Sequence, residues 1–124
     1  MSGTLKEWLA KAEDDFQAAA TLMRARKHPS YDGVCFHAQQ SIEKLMKAVL
    51  IRRKLVAPRT HDLIELNKLL AKAVSGWKWD EDELRFLNSG AVTFRYPGAS
   101  AKRTHALRAM RICRRLREAL GDFA

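Results

Sequence analysis

Apolar side chains recur along this chain at steps of three and four, the period of a helix with one buried face. The first stripe is Leu5, Trp8, Leu9, Ala12, Phe16, Ala19, Ala20 and Met23, which makes about five turns. Thr4 and Glu7 precede it at the Ser/Thr-x-x-Glu spacing, in which each side chain satisfies the other's free backbone N–H. Lys27-His28-Pro29-Ser30 ends it, because proline disfavours helix in the residue before it. A second stripe, Val34, Cys35, Ala38, Ile42, Leu45, Met46 and Val49, predicts a helix from about Asp32 to Lys54.

Val56-Ala57-Pro58-Arg59 breaks the pattern. Thr60 is the expected N-cap of a third helix that ends near Ser75-Gly76 and buries Leu63, Leu66, Leu69, Leu70 and Val74. Trp77-Lys78-Trp79 reads as a loop. Asp80 is expected to cap a fourth helix reaching about Phe94, with Glu81, Asp82 and Glu83 where a helix N-terminus favours negative charge. The Pro97-Gly98 pair marks Arg95 to Ala99 as a loop. Ser100 is then expected to open a last helix to about Leu120, with Gly121 as its C-terminal cap. Its core side is Ala109, Ile112, Cys113, Leu116 and Leu120. No segment alternates as a strand does. Three long rods of roughly 30–35 Å and two shorter helices predict an all-α, antiparallel up-and-down bundle of about five helices. Residues 1–124 are expected to form a single domain.

Composition adds a compartment and a class of partner. The start, Met1 to Glu7, lacks the basic residues and apolar run of a secretory leader. No apolar stretch approaches the ~20 residues that span a bilayer, so a cytoplasmic protein with no membrane contact is expected. Cys35 and Cys113 fall in helical apolar patterns and read as buried free thiols of a reducing compartment. No metal site is expected, since Cys35 and His37, two residues apart on a helix, point to different sides. Phosphate loops, dinucleotide fingerprints, zinc-protease and hydrolase motifs are absent, and no cofactor is expected. The 23 Lys and Arg against 14 Asp and Glu give a net charge of +9. That balance suits RNA, DNA, a nucleotide or an acidic protein.

Three constellations can carry chemistry. On the second helix His37, Ser41 and Lys44 share one flank beside the core stripe, while Gln40, Glu43 and Lys47 share the other. Such flanks are either a solvated surface or a polar groove facing a second helix or subunit. Phe94-Arg95-Tyr96-Pro97-Gly98 places an arginine and a ring in a loop, where guanidinium can grip phosphate and the ring can stack on a base. The alternative is a structural turn. The last helix carries Lys102, Arg103, Arg108, Arg111, Arg114, Arg115 and Arg117 against Glu118 and Asp122. Arg108, Arg111 and Arg115 share a flank that is either solvated or phosphate-binding. Leu107 and Met110, off the core stripe, suggest a subunit contact. His37, Lys44, Arg95, Tyr96, Arg108, Arg111 and Arg115 are thus the candidate nucleotide or RNA contacts.

The order Ala12-x-Asp14-Asp15, His37-Ala38-Gln39-Gln40-Ser41-Ile42-Glu43-Lys44-Leu45-Met46-Lys47-Ala48, Pro58-x-Thr60-His61-Asp62-Leu63 and Arg95-Tyr96-Pro97 resembles the prokaryotic HEPN domain over nearly the whole chain. The resemblance implies a helical bundle that dimerises. It also implies a nucleotide- or RNA-binding module of a toxin–antitoxin or stress system, paired with a minimal nucleotidyltransferase. Many members of that family are metal-independent RNases that use an arginine and, about four to six residues later, a histidine at the dimer interface. Arg95 stands in the corresponding region here, and the next histidine is His105, ten positions on. Arg95 and His105 are therefore the candidate catalytic pair, in a variant site if the protein is an enzyme. His61, beside Asp62 at a helix start, reads as a cap and packing feature. A purely structural dimeric adaptor is the third reading.

Overall fold

The computed structural model describes residues 3–124; Met1 and Ser2, the first residues of the stretch read for a leader, lie outside them. Five α-helices follow one another: α1 (Leu5–Arg24), α2 (Tyr31–Arg52), α3 (Leu63–Ala73), α4 (Glu81–Ala91) and α5 (Arg103–Gly121). A single 3-10 turn, Thr93–Arg95, lies between α4 and α5. The all-α bundle predicted by the periodicity is what forms, with three long helices and two short ones. The Thr4–Glu7 capping box opens α1, with Glu7 N–H donating to Thr4 Oγ1 at 3.1 Å and Thr4 N–H to Glu7 Oε1 at 3.0 Å. Among the described residues no helix is long and apolar enough to cross a membrane.

The centre of the bundle is α2, which packs on α1, α3, α4 and α5. A helix surrounded in this way buries more than one stripe. Ala38, Ile42, Met46 and Val49 are fully buried as expected, but so are Gln39, Ser41, Glu43 and Lys47. The flank carrying Glu43 and Lys47 is therefore not a solvated surface. The same effect widens the stripe on α5, which lies against α1, α2 and α4. Met110, taken from the pattern for a subunit contact, is 1% exposed and belongs to the core, whereas Leu107 remains on the surface.

Three element ends differ from the pattern. Asp62, not Thr60, caps α3: its carboxylate accepts from Ile64 N–H, and Thr60 Oγ1 accepts from Asp62 N–H to form a turn before the helix. Likewise α5 starts at Arg103, because Ala101 N–H is taken by Asp32 on the first turn of α2. Finally α4 stops at Ala91, so that Arg95 ends a 3-10 turn instead of opening a loop. Trp77, inside the predicted loop, is buried, with its indole N–H donating to Asn67 at 2.8 Å.

Cys35 and Cys113 are unpaired and buried. Loss of hydration on burial pushes the Cys35 thiol up to about 11 and the Cys113 thiol up to about 12. The folded protein favours the protonated thiols. Their contribution to stability is thus present below the ordinary thiol range and is lost as pH rises towards 11 and 12. At pH 8 a thiol-reactive dye should label neither residue in the native protein and both after unfolding in urea. Rapid native labelling would show that one of these helices opens.

Candidate functional site

A groove of about 600 Å³ runs between α2 and the α3–α4 pair, and Arg95 lines it. Phe36 and Gln40 of α2 form one wall. Thr60, His61 and Asp62 of the α2–α3 connector also line the groove, with Asn88 and Ala91 of α4 and Val92 just after that helix. Asn88 holds the walls together: its amide donates to Asp62 at 2.8 Å and its carbonyl oxygen accepts from Leu63 N–H at 3.1 Å. Arg95 lies with its guanidinium carbon 4.4 Å from the Phe36 ring centroid. Among the described residues it has no carboxylate within ion-pair distance. A guanidinium stacked on one face keeps its edge N–H groups free for an anion.

Beneath the groove is a buried polar network that starts from α2. Glu43 is 3% exposed and Lys47 0%, one turn apart, with Lys47 Nζ donating to Glu43 Oε2 at 3.2 Å. Gln39 donates to Glu43 at 3.3 Å and to the His61 carbonyl at 2.9 Å. Gln40 donates to Gln39 Oε1 at 2.8 Å. His61 completes the set: its Nδ1 lies 3.2 and 3.1 Å from the two Glu43 oxygens. A carboxylate paired with an ammonium can only accept here, so His61 Nδ1 is the donor. The side chain of His61 is 75% exposed, and the residue lines the groove.

The other candidates fall in three places. His37 and Lys44 both reach back to Asp15 on α1, His37 Nδ1 at 2.8 Å and Lys44 as a close ion pair. They clamp α1 to α2 and do not line the Arg95 groove. Tyr96 is 67% exposed at the end of the 3-10 turn. His105 sits in the first turn of α5, its Nδ1 accepting from Lys102 N–H at 2.9 Å, and its ring lies between Phe94 (5.3 Å) and Phe86 (6.3 Å). It does not line the groove; the histidine that does is His61.

On the flank of α5, Arg108 covers Phe86 at 4.2 Å. Arg115 covers Trp79 at 5.2 Å and pairs with Glu83 at 2.7 Å, so its charge is already partnered. Arg111 is exposed. These contacts join the separate candidates. From α5 to α2 a half-buried band runs Arg108, Phe86, His105, Phe94, Arg95 and Phe36, with three adjacent rings between the two guanidinium groups. Among the described residues no three His, Cys, Asp or Glu side chains converge as metal ligands.

The sequence reading passed over Phe36, Asn88 and the His61–Glu43 contact. Glu43 four residues before Lys47 was visible, but nothing local says that a helix face of that composition is buried.

Comparison with known proteins places this geometry. The family model described as "HEPN domain" matches residues 5–123. Among solved structures, that of TT1696 from Thermus thermophilus superposes with a TM-score of 0.78 at 20% identity, covering 97% of this chain and 98% of that one. At that identity the likeness is one of fold. No curated protein matches the chain.

Proposed function

We propose that this chain, which belongs to the HEPN domain family, is an RNA- or nucleotide-binding module that reads phosphate and base with Arg95 at its centre. The observation that carries the reading is the state of Arg95: exposed, against the Phe36 ring, without a carboxylate partner among the described residues, and at the end of a band in which Arg108 and Arg95 flank the rings of Phe86, His105 and Phe94. Single-stranded nucleic acid is bound by cations and rings set side by side, because phosphates seek the cations while every base has a face to stack. Tyr96, Arg108 and Arg111 extend the band, and the +9 net charge supplies long-range attraction. His37 and Lys44 contribute by fixing α2, which carries Phe36.

The module acts as a homodimer together with a minimal nucleotidyltransferase protein in a toxin–antitoxin or stress system. The support is membership of the family and Leu107, a large apolar side chain left on the surface of α5. Light scattering at micromolar concentration is expected to give twice the chain mass, and a monomer would remove the dimer from this reading.

Binding is tested by fluorescence anisotropy with a labelled single-stranded RNA and with ATP. Arg95→Ala should weaken RNA binding about tenfold, the loss of one charge-assisted phosphate contact. It should also reduce the slope of log K against log salt by roughly 0.7. Absence of binding to both probes at low salt would sink the reading.

A further inference from the structure

We infer that the open slot between the end of α2 and α3 is a docking site for a protein partner, entered by an acidic amphipathic segment whose aliphatic side chains fill it. This surface shares no lining residue with the Arg95 groove, and the inference goes beyond the nucleic-acid reading. It starts from the way α2 ends. Lys54 takes a left-handed φ of 62°; its N–H donates to the Ile51 carbonyl at 2.8 Å and Leu55 N–H to the Leu50 carbonyl at 3.0 Å. Glycine ordinarily holds this position, and the residue after it usually meets the last turn of the helix. Such a turn accounts for an apolar residue at Leu55, which is 47% exposed, but gives no reason for Val56, which is 80% exposed. Among the described residues these are the only two consecutive large apolar side chains on the surface. With Leu50, Leu69 and Ala73 they line a slot of about 440 Å³, to which Lys72 alone brings a charge. An exposed apolar patch with a charged rim is the mark of a protein contact.

The rim fixes the sign of the occupant. Residues 50–60 carry four Lys or Arg and residues 66–79 carry three, with no Asp or Glu in either stretch. Lys54 adjoins Leu55, while Lys68 adjoins Leu69 and stands one turn before Lys72; all three are exposed. None has a carboxylate within ion-pair distance among the described residues. Glu65, the one carboxylate within α3, instead accepts from Thr60 Oγ1 at 2.7 Å. Two lysines four apart on one helix repel each other. Cations at helix C-termini complement the helix dipole, which accounts for Arg52 and Lys72 singly but not for an apolar slot left open beside them. Carboxylates of a partner offset the repulsion while its aliphatic side chains cover Val56 and Leu69, as an amphipathic helix does in a groove. Nucleic acid fits less well, because the slot has no ring on which a base can stack. A bilayer surface meets Val56 but sends no side chain into a concave slot.

The test titrates the full chain into a fluorescein-labelled peptide of about 15 residues, rich in glutamate, with leucines at the i, i+4 spacing that puts both on one helix face. Two control peptides carry serine for the leucines or lysine for the glutamates. Single-stranded RNA and vesicles of phosphatidylserine and phosphatidylcholine are the other probes. The acidic leucine peptide should bind at least about tenfold tighter than either control. Leu55→Ser/Val56→Ser should weaken it about tenfold or more. Val56→Ser alone, at a side chain too exposed to matter to the fold, should weaken it at least about threefold and bind RNA as the wild type does. Lys68→Glu/Lys72→Glu should reverse the preference and take the lysine peptide over the acidic one. Equal binding of the leucine and serine peptides, or of the acidic and lysine peptides, overturns the inference. So does full affinity in Val56→Ser. Vesicle binding that needs Val56 while the peptide stays free would make the slot a membrane contact, and RNA binding weakened by Val56→Ser would place nucleic acid in it; either result overturns the inference as well.

Discussion

Gly90→Ala should destabilise the bundle by about 3 kcal/mol or more, although it adds one methyl group and alanine is the better helix former. Gly90 lies in α4 where that helix crosses α2, and the added Cβ would stand 2.3 Å from the carbonyl oxygen of Cys35 and 2.6 Å from its carbon. Those atoms are backbone and cannot rotate away. The Cys35 side chain is also 3.1 Å off, so sliding along α2 brings no relief. The helices must separate, and Leu84 and Leu87 of α4 lose packing in the core they share with α2. Phe36 follows Cys35 on α2, so a shift there also moves the platform under Arg95. Urea unfolding should show the loss, and RNA binding by the folded fraction should weaken with it. Gly121→Ala is the control: nothing lies within 4 Å of its Cβ, and it should change stability by less than about 1 kcal/mol. A loss at Gly90 no larger than at Gly121 would mean that α2 and α4 do not cross this closely in solution.

What could be read in the sequence was what local chemistry decides. Thr4 with Glu7, Asp80 before an acidic turn, and Pro97-Gly98 act on their own neighbours, and helix types and most boundaries followed from them. The core stripe of α2 was legible for the same reason. Its second buried side was not, because burial of Glu43 and Lys47 depends on how many helices surround α2, which no window of sequence records. The site divides along the same line. Arg95 was singled out because an arginine beside a ring in a connector can reach a phosphate, and it lines the groove. His61 was read as a cap because it precedes Asp62, and Asp62 is indeed the cap. The ring of His61 is turned instead to a residue 18 positions earlier, a contact that only the packing of α3 on α2 creates. His105 was favoured because it follows Arg95, but its Nδ1 caps its own helix and its ring fills a space between Phe86 and Phe94.

The buried pair beneath the site yields the second large effect, and its asymmetry is what makes it informative. Glu43→Gln should cost about 3–5 kcal/mol, because Lys47, at 0% exposure, has no carboxylate partner except Glu43 among the described residues and would carry an unpaired charge in the core. The Trp8 ring, 5.7 Å from the ammonium, is too weak a substitute. Lys47→Met should cost less, since Glu43 keeps His61, Gln39 and Gln40 as donors once the ammonium is gone. In the double variant no charge is stranded, and stability should return to within about 1 kcal/mol of the wild type, as buried ion pairs often do when replaced as a unit. Thermal melts of the four proteins at one pH close the cycle; additive losses would mean that water reaches Lys47. The bundle therefore does not need this pair for its stability. An apolar pair of similar volume would hold α2 as well, yet it would leave His61 with no carboxylate behind it. The double variant thus isolates the charge of the pair: a protein as stable as the wild type, in which the His61 ring has an amide but no carboxylate behind it.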